Sequence, residues 1–265
     1  MIKRIAIFYL LTFLFTILLA GLQQAAGIPT TFILPQWGPG LAALLMLLLF
    51  RKDGLSLRPN LRAAGWTRPV VAPAIPLLVA AALLPAVTRL FGSTGGAALT
   101  PVWVAGMAFG ALGEEIGWRG YLQPLLRRLW GAFAVSLLVG LLWGLWHMQM
   151  WANGPVFMAF LVLSMVGYSL VITALIDDAP GGRILIAALF HLGINLGNVM
   201  YFDHLTATGF MALNAAAWLV TAAVAVVLRR RLFFARKETT NNQPPTTDEE
   251  SPTPAAAPDL SIRHS

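Results

Sequence analysis

Phe109-Gly-Ala-Leu-Gly-Glu114-Glu115-Ile-Gly-Trp-Arg119-Gly-Tyr-Leu-Gln123 sets two adjacent carboxylates and a guanidinium inside a stretch otherwise apolar enough to cross a lipid bilayer. Charge at that depth costs about 2.5–3.5 kcal/mol per group at the centre of a membrane helix, so such residues mark a functional site with partners elsewhere in the chain. Four histidines occur in the 265 residues. Two of them, His147 and His191, also lie in apolar segments, and Asn195 follows His191 by one helical turn.

Working outward from this stretch, the composition excludes a soluble domain: 58% of residues are hydrophobic and only 11% charged, with a mean hydropathy of +0.73. The fold class expected is all-α, a polytopic transmembrane helical bundle in the lipid bilayer. With no cysteine in the chain, disulfide frameworks and thiolate nucleophiles are excluded.

Apolar runs predict about eight spans. The first covers Ile5 to about Ala26 behind Lys3 and Arg4, and a cleaved signal peptide is the rival reading of that segment. The second, near Thr31 to Phe50, contains Pro35, Gly38, Pro39 and Gly40 and is expected to kink or start late. The third runs from about Val70 to Leu90. The fourth opens sharply at Pro101 behind Thr100, a favourable helix start because the amide that proline lacks would be unpaired anyway. Tyr121 to Trp130 reads as an interfacial amphipathic piece. The remaining spans are expected over about Ala132 to Trp151, Val156 to Ile176, Ile184 to Phe202 and Ala207 to Leu228.

Charge tests this topology, since cytoplasmic loops of membrane proteins carry the Lys/Arg excess. With the N-terminus inside, sixteen of the eighteen basic residues fall in cytoplasmic segments, Arg89 falls outside, and Arg263 sits in a cytoplasmic tail. The net charge of +7 is thereby explained by topology, and no nucleic-acid partner is required. Arg229, Arg230 and Arg231 stand where anionic lipid headgroups meet a last span. Localisation to the cell (inner or plasma) membrane with both termini cytoplasmic follows. The expected division is a membrane domain over 1–237 and a disordered, proline-rich tail over 238–265.

Helical spacing sorts the polar residues. Glu115 and Arg119 are four apart and share a face, while Glu114 is turned about 100° away and is free to face a cavity. The plainer reading is a structural salt bridge plus one spare acid. Trp143 and His147 lie one turn apart, with Gly140 and Gly144 forming a face of small residues for close helix approach. His191, Asn195 and Asn198 form one stripe, with Gly193 and Gly197 as a second small-residue pair. As interhelical hydrogen-bond glue such residues contribute about 1 kcal/mol each.

Taken together, Glu114-Glu115-Ile-Gly-Trp-Arg119, Trp143-Gly-Leu-Trp-His147 and His191-Leu-Gly-Ile-Asn195 resemble the signature of the CPBP intramembrane proteases (CAAX prenyl protease and bacteriocin-processing, Abi-like). That signature reads Glu-Glu-x-x-x-Arg, Phe-x-x-x-His and His-x-x-x-Asn on three membrane helices. The resemblance covers about 101–202, and it departs at Trp143, where the family usually shows Phe, a change expected to affect packing more than chemistry.

The resemblance implies an intramembrane endopeptidase acting on a membrane-associated peptide or protein, CAAX-like or other. Glu114 with His147 would activate water, His191 and Asn195 would donate to the developing oxyanion, and Glu115 paired to Arg119 would orient Glu114. No cofactor is favoured. The alternative is a zinc enzyme with Glu114, His147 and His191 as ligands. Two non-protease readings stand beside it: a non-catalytic immunity or scaffold protein of the same family, and a proton-relaying transporter, against which the chain shows no repeated pair of broken helices. Depth is the difficulty. On ideal helices Glu114 and His191 fall about 10 Å from the cytoplasmic edge and His147 about 20 Å, and tilt or a lower start of the fifth span is needed to bring them level.

Overall fold

The computed structural model describes residues 1–50, 67–92, 95, 99–179 and 181–234. Among these the chain is helical, with no strand: α1 (Ile2–Ala25), α2 (Gly38–Leu49), α3 (Thr67–Phe91), α4 (Pro101–Glu115), α5 (Gln123–Arg127), α6 (Ala132–Trp146), α7 (Pro155–Ile176), α8 (Arg183–Val199), α9 (Thr208–Leu228) and α10 (Arg230–Phe234). The basic loop at Arg51, Lys52, Arg58 and Arg62 and the expected tail over 238–265 lie outside the described residues.

The eight expected spans differ in length among the described residues. Four helices, α1, α3, α7 and α9, are long and apolar enough to cross a membrane. The other four expected spans are shorter or interrupted. The second begins with a single 3-10 turn over Leu34–Trp37 before α2, and α6 and α8 are apolar helices of 15 and 17 residues. The fourth is α4 running through a π-helical segment, Ile116–Leu122, into α5. Irregular backbone at membrane depth is tolerated where it is enclosed by protein or lines a cavity, and three of these four segments carry the motif residues.

The continuity of α4 through α5 also corrects the expected interfacial piece at Tyr121 to Trp130. Tyr121, Leu122, Leu125 and Leu126 are fully buried in the main core cluster rather than laid on a lipid surface. Depth changes accordingly. Counted from Arg127, Glu114 lies about 20 Å along its helix, and counted from Ala132, His147 lies about 22 Å along α6, at 1.5 Å per residue. The two side chains are therefore level without any special tilt.

Small residues bring the bundle together. A Cβ added at Gly140 would stand 2.5 Å from the Val166 Cα of α7, and one at Gly193 would stand 2.6 Å from the Pro73 carbonyl oxygen of α3. These helices touch backbone to backbone, the packing that drives association where lipid offers no hydrophobic gain. Gly106, Gly110 and Gly113 on α4, with Gly117 in the π-helical segment after it, form a groove that receives the chain from Thr31 to Pro39. Thr100 caps α4, its hydroxyl accepting from the Trp103 amide at 3.3 Å. At the end of the bundle marked by Arg127, Asp177 accepts from that side chain at 3.1 and 2.9 Å, with Arg183 at 3.6 Å, while Asp178 pairs with Arg68 and Arg229.

Candidate active site

Glu115 and Arg119 form the pair their spacing predicts: Arg119 Nη1 donates to Glu115 Oε1 at 2.9 Å, and both side chains are fully buried. The same Glu115 oxygen lies 3.0 Å from His191 Nδ1. A carboxylate paired with arginine offers no proton, so Nδ1 is the donor in this contact. The second acid is thus the hub of a three-helix contact joining α4, the π segment and α8.

Glu114 faces elsewhere, as the roughly 100° step per residue requires. Its Oε2 accepts from the Trp143 indole N–H at 2.7 Å, and its Oε1 accepts from Gln36 Nε2 at 2.9 Å. Trp143 therefore does more than fill space. A phenylalanine at this position has no polar hydrogen, so the departure from Phe changes the chemistry around the acid, contrary to the expectation of a packing effect. The indole also stacks under the Arg119 guanidinium at 4.4 Å and meets the His191 ring edge-on at 5.2 Å. Cation–π attraction of this kind offsets part of the cost of burying Arg119.

His147 caps the C-terminus of α6, with φ −71° and ψ 63° ending the helix there. Its Nδ1 lies 2.8 Å from the Trp143 carbonyl oxygen. A carbonyl only accepts, so the neutral imidazole carries its proton on Nδ1 and presents an unprotonated Nε2. Glu114 and His147 line one cavity of about 960 Å³, whose other walls come largely from α1 and the segment 27–36.

Asn195 and Asn198 do not share that cavity. They line a neighbouring one of about 320 Å³, which meets the first at Thr30, Ile33 and Gln36. His191 is buried between Glu115 and Trp143. Gln36 is the residue that sequence reasoning missed. Its signal was slight, one amide beside a Gly-Pro-Gly break in the second apolar run.

Among the described residues no three His, Asp or Glu side chains are grouped to hold a metal ion. Each Glu114 oxygen accepts one hydrogen bond from a neutral donor, and both imidazoles have Nδ1 engaged, His147 with the Trp143 carbonyl oxygen and His191 with Glu115.

Comparisons with known proteins agree with the motif reading. Residues 96–197 match the family described as type II CAAX prenyl endopeptidase Rce1-like. The chain is 24% identical over 222 residues to lysostaphin resistance protein A of Staphylococcus haemolyticus, covering 78% of this chain and 59% of that protein. It is 25% identical over 215 residues to lysostaphin resistance protein A of Staphylococcus aureus strain Newman, covering 75% of this chain and 50% of that protein. The chain thus spans about half the length of the curated relatives it matches. The matched segment, which is similar to the Rce1-like family, contains Glu114, Glu115, Arg119, Trp143, His147, His191 and Asn195.

Proposed function

We propose that the protein is an intramembrane endopeptidase that hydrolyses a peptide bond of a membrane-associated substrate with water activated by Glu114 and His147. The observation that carries this reading is that Glu114 and His147 line one cavity. Glu114 retains lone pairs beyond the two used by Trp143 and Gln36, and His147 is held in the tautomer that exposes the Nε2 lone pair. A water there donates a hydrogen bond to each, its oxygen attacks the scissile carbonyl carbon, and Glu114 takes the one proton released. That proton then passes to the departing amine as the carbon–nitrogen bond breaks, leaving a carboxylate and a free amine.

In this reading His191 and Asn195 stabilise the oxyanion. Because His191 Nδ1 donates to Glu115, only the imidazolium form has a second N–H to offer from Nε2. Glu115 and Arg119 fix the helix so that Glu114 faces the cavity. No resident metal takes part. The protein sits in the cell membrane with both termini cytoplasmic. The mostly apolar walls of the larger cavity suit a substrate segment drawn from the membrane.

The test is cleavage of a membrane-peptide library by the full chain in lipid nanodiscs. Wild type is expected to cleave, while Glu114→Gln and His147→Ala lose turnover almost completely and keep wild-type melting temperatures. Full turnover by Glu114→Gln would falsify the assignment. A second reading, a non-catalytic resistance or scaffold protein, draws on the name of the staphylococcal relatives. It requires wild type and Glu114→Gln to act alike in any cellular assay.

A further inference from the structure

Gln36 stands outside all three motifs and outside the family-matched segment, yet it reaches the acid on which the proposed chemistry turns. We propose that Gln36 is a positioning residue of the active site: its amide N–H holds Oε1 of Glu114 while Trp143 holds Oε2, so that the carboxylate is locked in rotation and aimed into the cavity. The inference rests on the reading of Glu114 as the base.

The contact is built by the fold. Residues 78 apart are brought to 2.9 Å because the 31–39 segment lies in the glycine groove of α4. Gly110 is the point of closest fit, since a Cβ there would stand 1.8 Å from Gln36 Oε1. The approach to this turn is fixed separately by Gln23. Its Nε2 donates to the Phe32 carbonyl at 2.9 Å, and its Oε1 accepts from the Leu34 amide at 3.0 Å. Gln36 has little freedom as a result, and a hydrogen bond from a restrained donor loses less entropy than one from a mobile side chain. The residue also lines both cavities. Of the three residues common to both linings, Thr30, Ile33 and Gln36, only Gln36 is hydrogen-bonded to Glu114.

The experiment compares wild type, Gln36→Met, Gln36→Asn and Glu114→Gln as full chains in lipid nanodiscs. Methionine matches the length of glutamine and suits an apolar helix, but it donates nothing. Asparagine is one methylene shorter and keeps the donor. With a cleaved membrane peptide as probe, Gln36→Met is expected to lower kcat about 10- to 100-fold, as for a lost hydrogen bond to a charged group, with KM within twofold and melting temperature unchanged. Gln36→Asn should recover part of kcat. A merely structural role reverses that order, with Met at or above Asn, and this result would overturn the inference.

A second measurement needs no turnover. Labelling of Glu114 by a hydrophobic carbodiimide, followed by mass spectrometry, is expected to accelerate several-fold in Gln36→Met, because the freed oxygen becomes available to the reagent. Equal labelling rates in wild type and Gln36→Met overturn the inference. If labelling accelerates but wild type cleaves no peptide, the peptidase reading fails and the positioning of Glu114 by Gln36 stands.

Discussion

The indole N–H of Trp143 donates to Oε2 of Glu114 at 2.7 Å, linking the first and second motifs through a proton that a phenylalanine at this position would lack. The acid in this chain is therefore held from both sides, by Trp143 and by Gln36. A hydrogen bond to a charged group contributes about 1.5–3 kcal/mol, more than the packing difference between two aromatic rings.

Trp143→Phe isolates that bond. Turnover is expected to drop about tenfold or more at nearly unchanged KM, since the carboxylate becomes free to rotate away from the water. Detergent melting temperature should fall slightly, because the ring's stacking on Arg119 is weakened rather than lost. Wild-type turnover in this variant would mean that the bond does not orient Glu114.

Glu115→Gln and Arg119→Ala act on stability first. Both side chains have no exposure, and removing one member of a buried pair costs about 3–5 kcal/mol because the other is left uncompensated. Thermal melts in detergent should show a large loss for each, and Glu115→Gln should also release His191. An unchanged melting temperature with abolished cleavage would place this pair in direct contact with substrate.

Zinc chelators are expected to leave peptide cleavage by the purified protein unchanged, and elemental analysis to find less than one metal ion per chain. Inhibition that added zinc reverses would recast Glu114, His147 and His191 as ligands after a rearrangement, with Glu115 as the base. In the metal-free case Asn195→Ala should be milder than Glu114→Gln, since one oxyanion donor is worth about 10²–10³ in rate.

Alkaline-phosphatase fusions check the orientation read from the basic residues. Fusions after Arg68 and after Arg236 are expected to be inactive, as both positions are assigned to the cytoplasm. Activity at either position would reverse the orientation.

What could be read from the sequence was whatever depends on neighbours along one helix. The Glu115–Arg119 pair, the Thr100 cap and the close approaches at Gly140 and Gly193 follow from spacings of three or four, where backbone geometry fixes proximity before any tertiary contact exists. The contact of Gln36 with Glu114 does not, because it depends on how one segment seats in a groove 70 to 80 residues away. The hydrogen bond from Trp143 escaped for a different reason: it depends on which way an indole turns, and helical spacing is silent on that. Asn195 and Glu114, expected to face one site, open into adjoining cavities that meet at Thr30, Ile33 and Gln36, residues that no motif records.

The π-helical segment Ile116–Leu122 sits between the paired acids and the arginine that clasps Asp177. A π turn closes its hydrogen bonds one residue later than an α turn, so it acts as an inserted residue that resets the helix's angular phase. Below it, α5 aims Arg127 at Asp177, and above it, α4 aims Glu114 into the cavity. Both alignments hold because the rod between them is wound out of step. Deleting a single residue from 120–122, beyond Arg119, would restore a regular helix with the chemistry of every motif intact, and would swing one end about 100° relative to the other. The register of this winding, more than the identity of its side chains, couples the anchored end of the bundle to the direction in which its acid points.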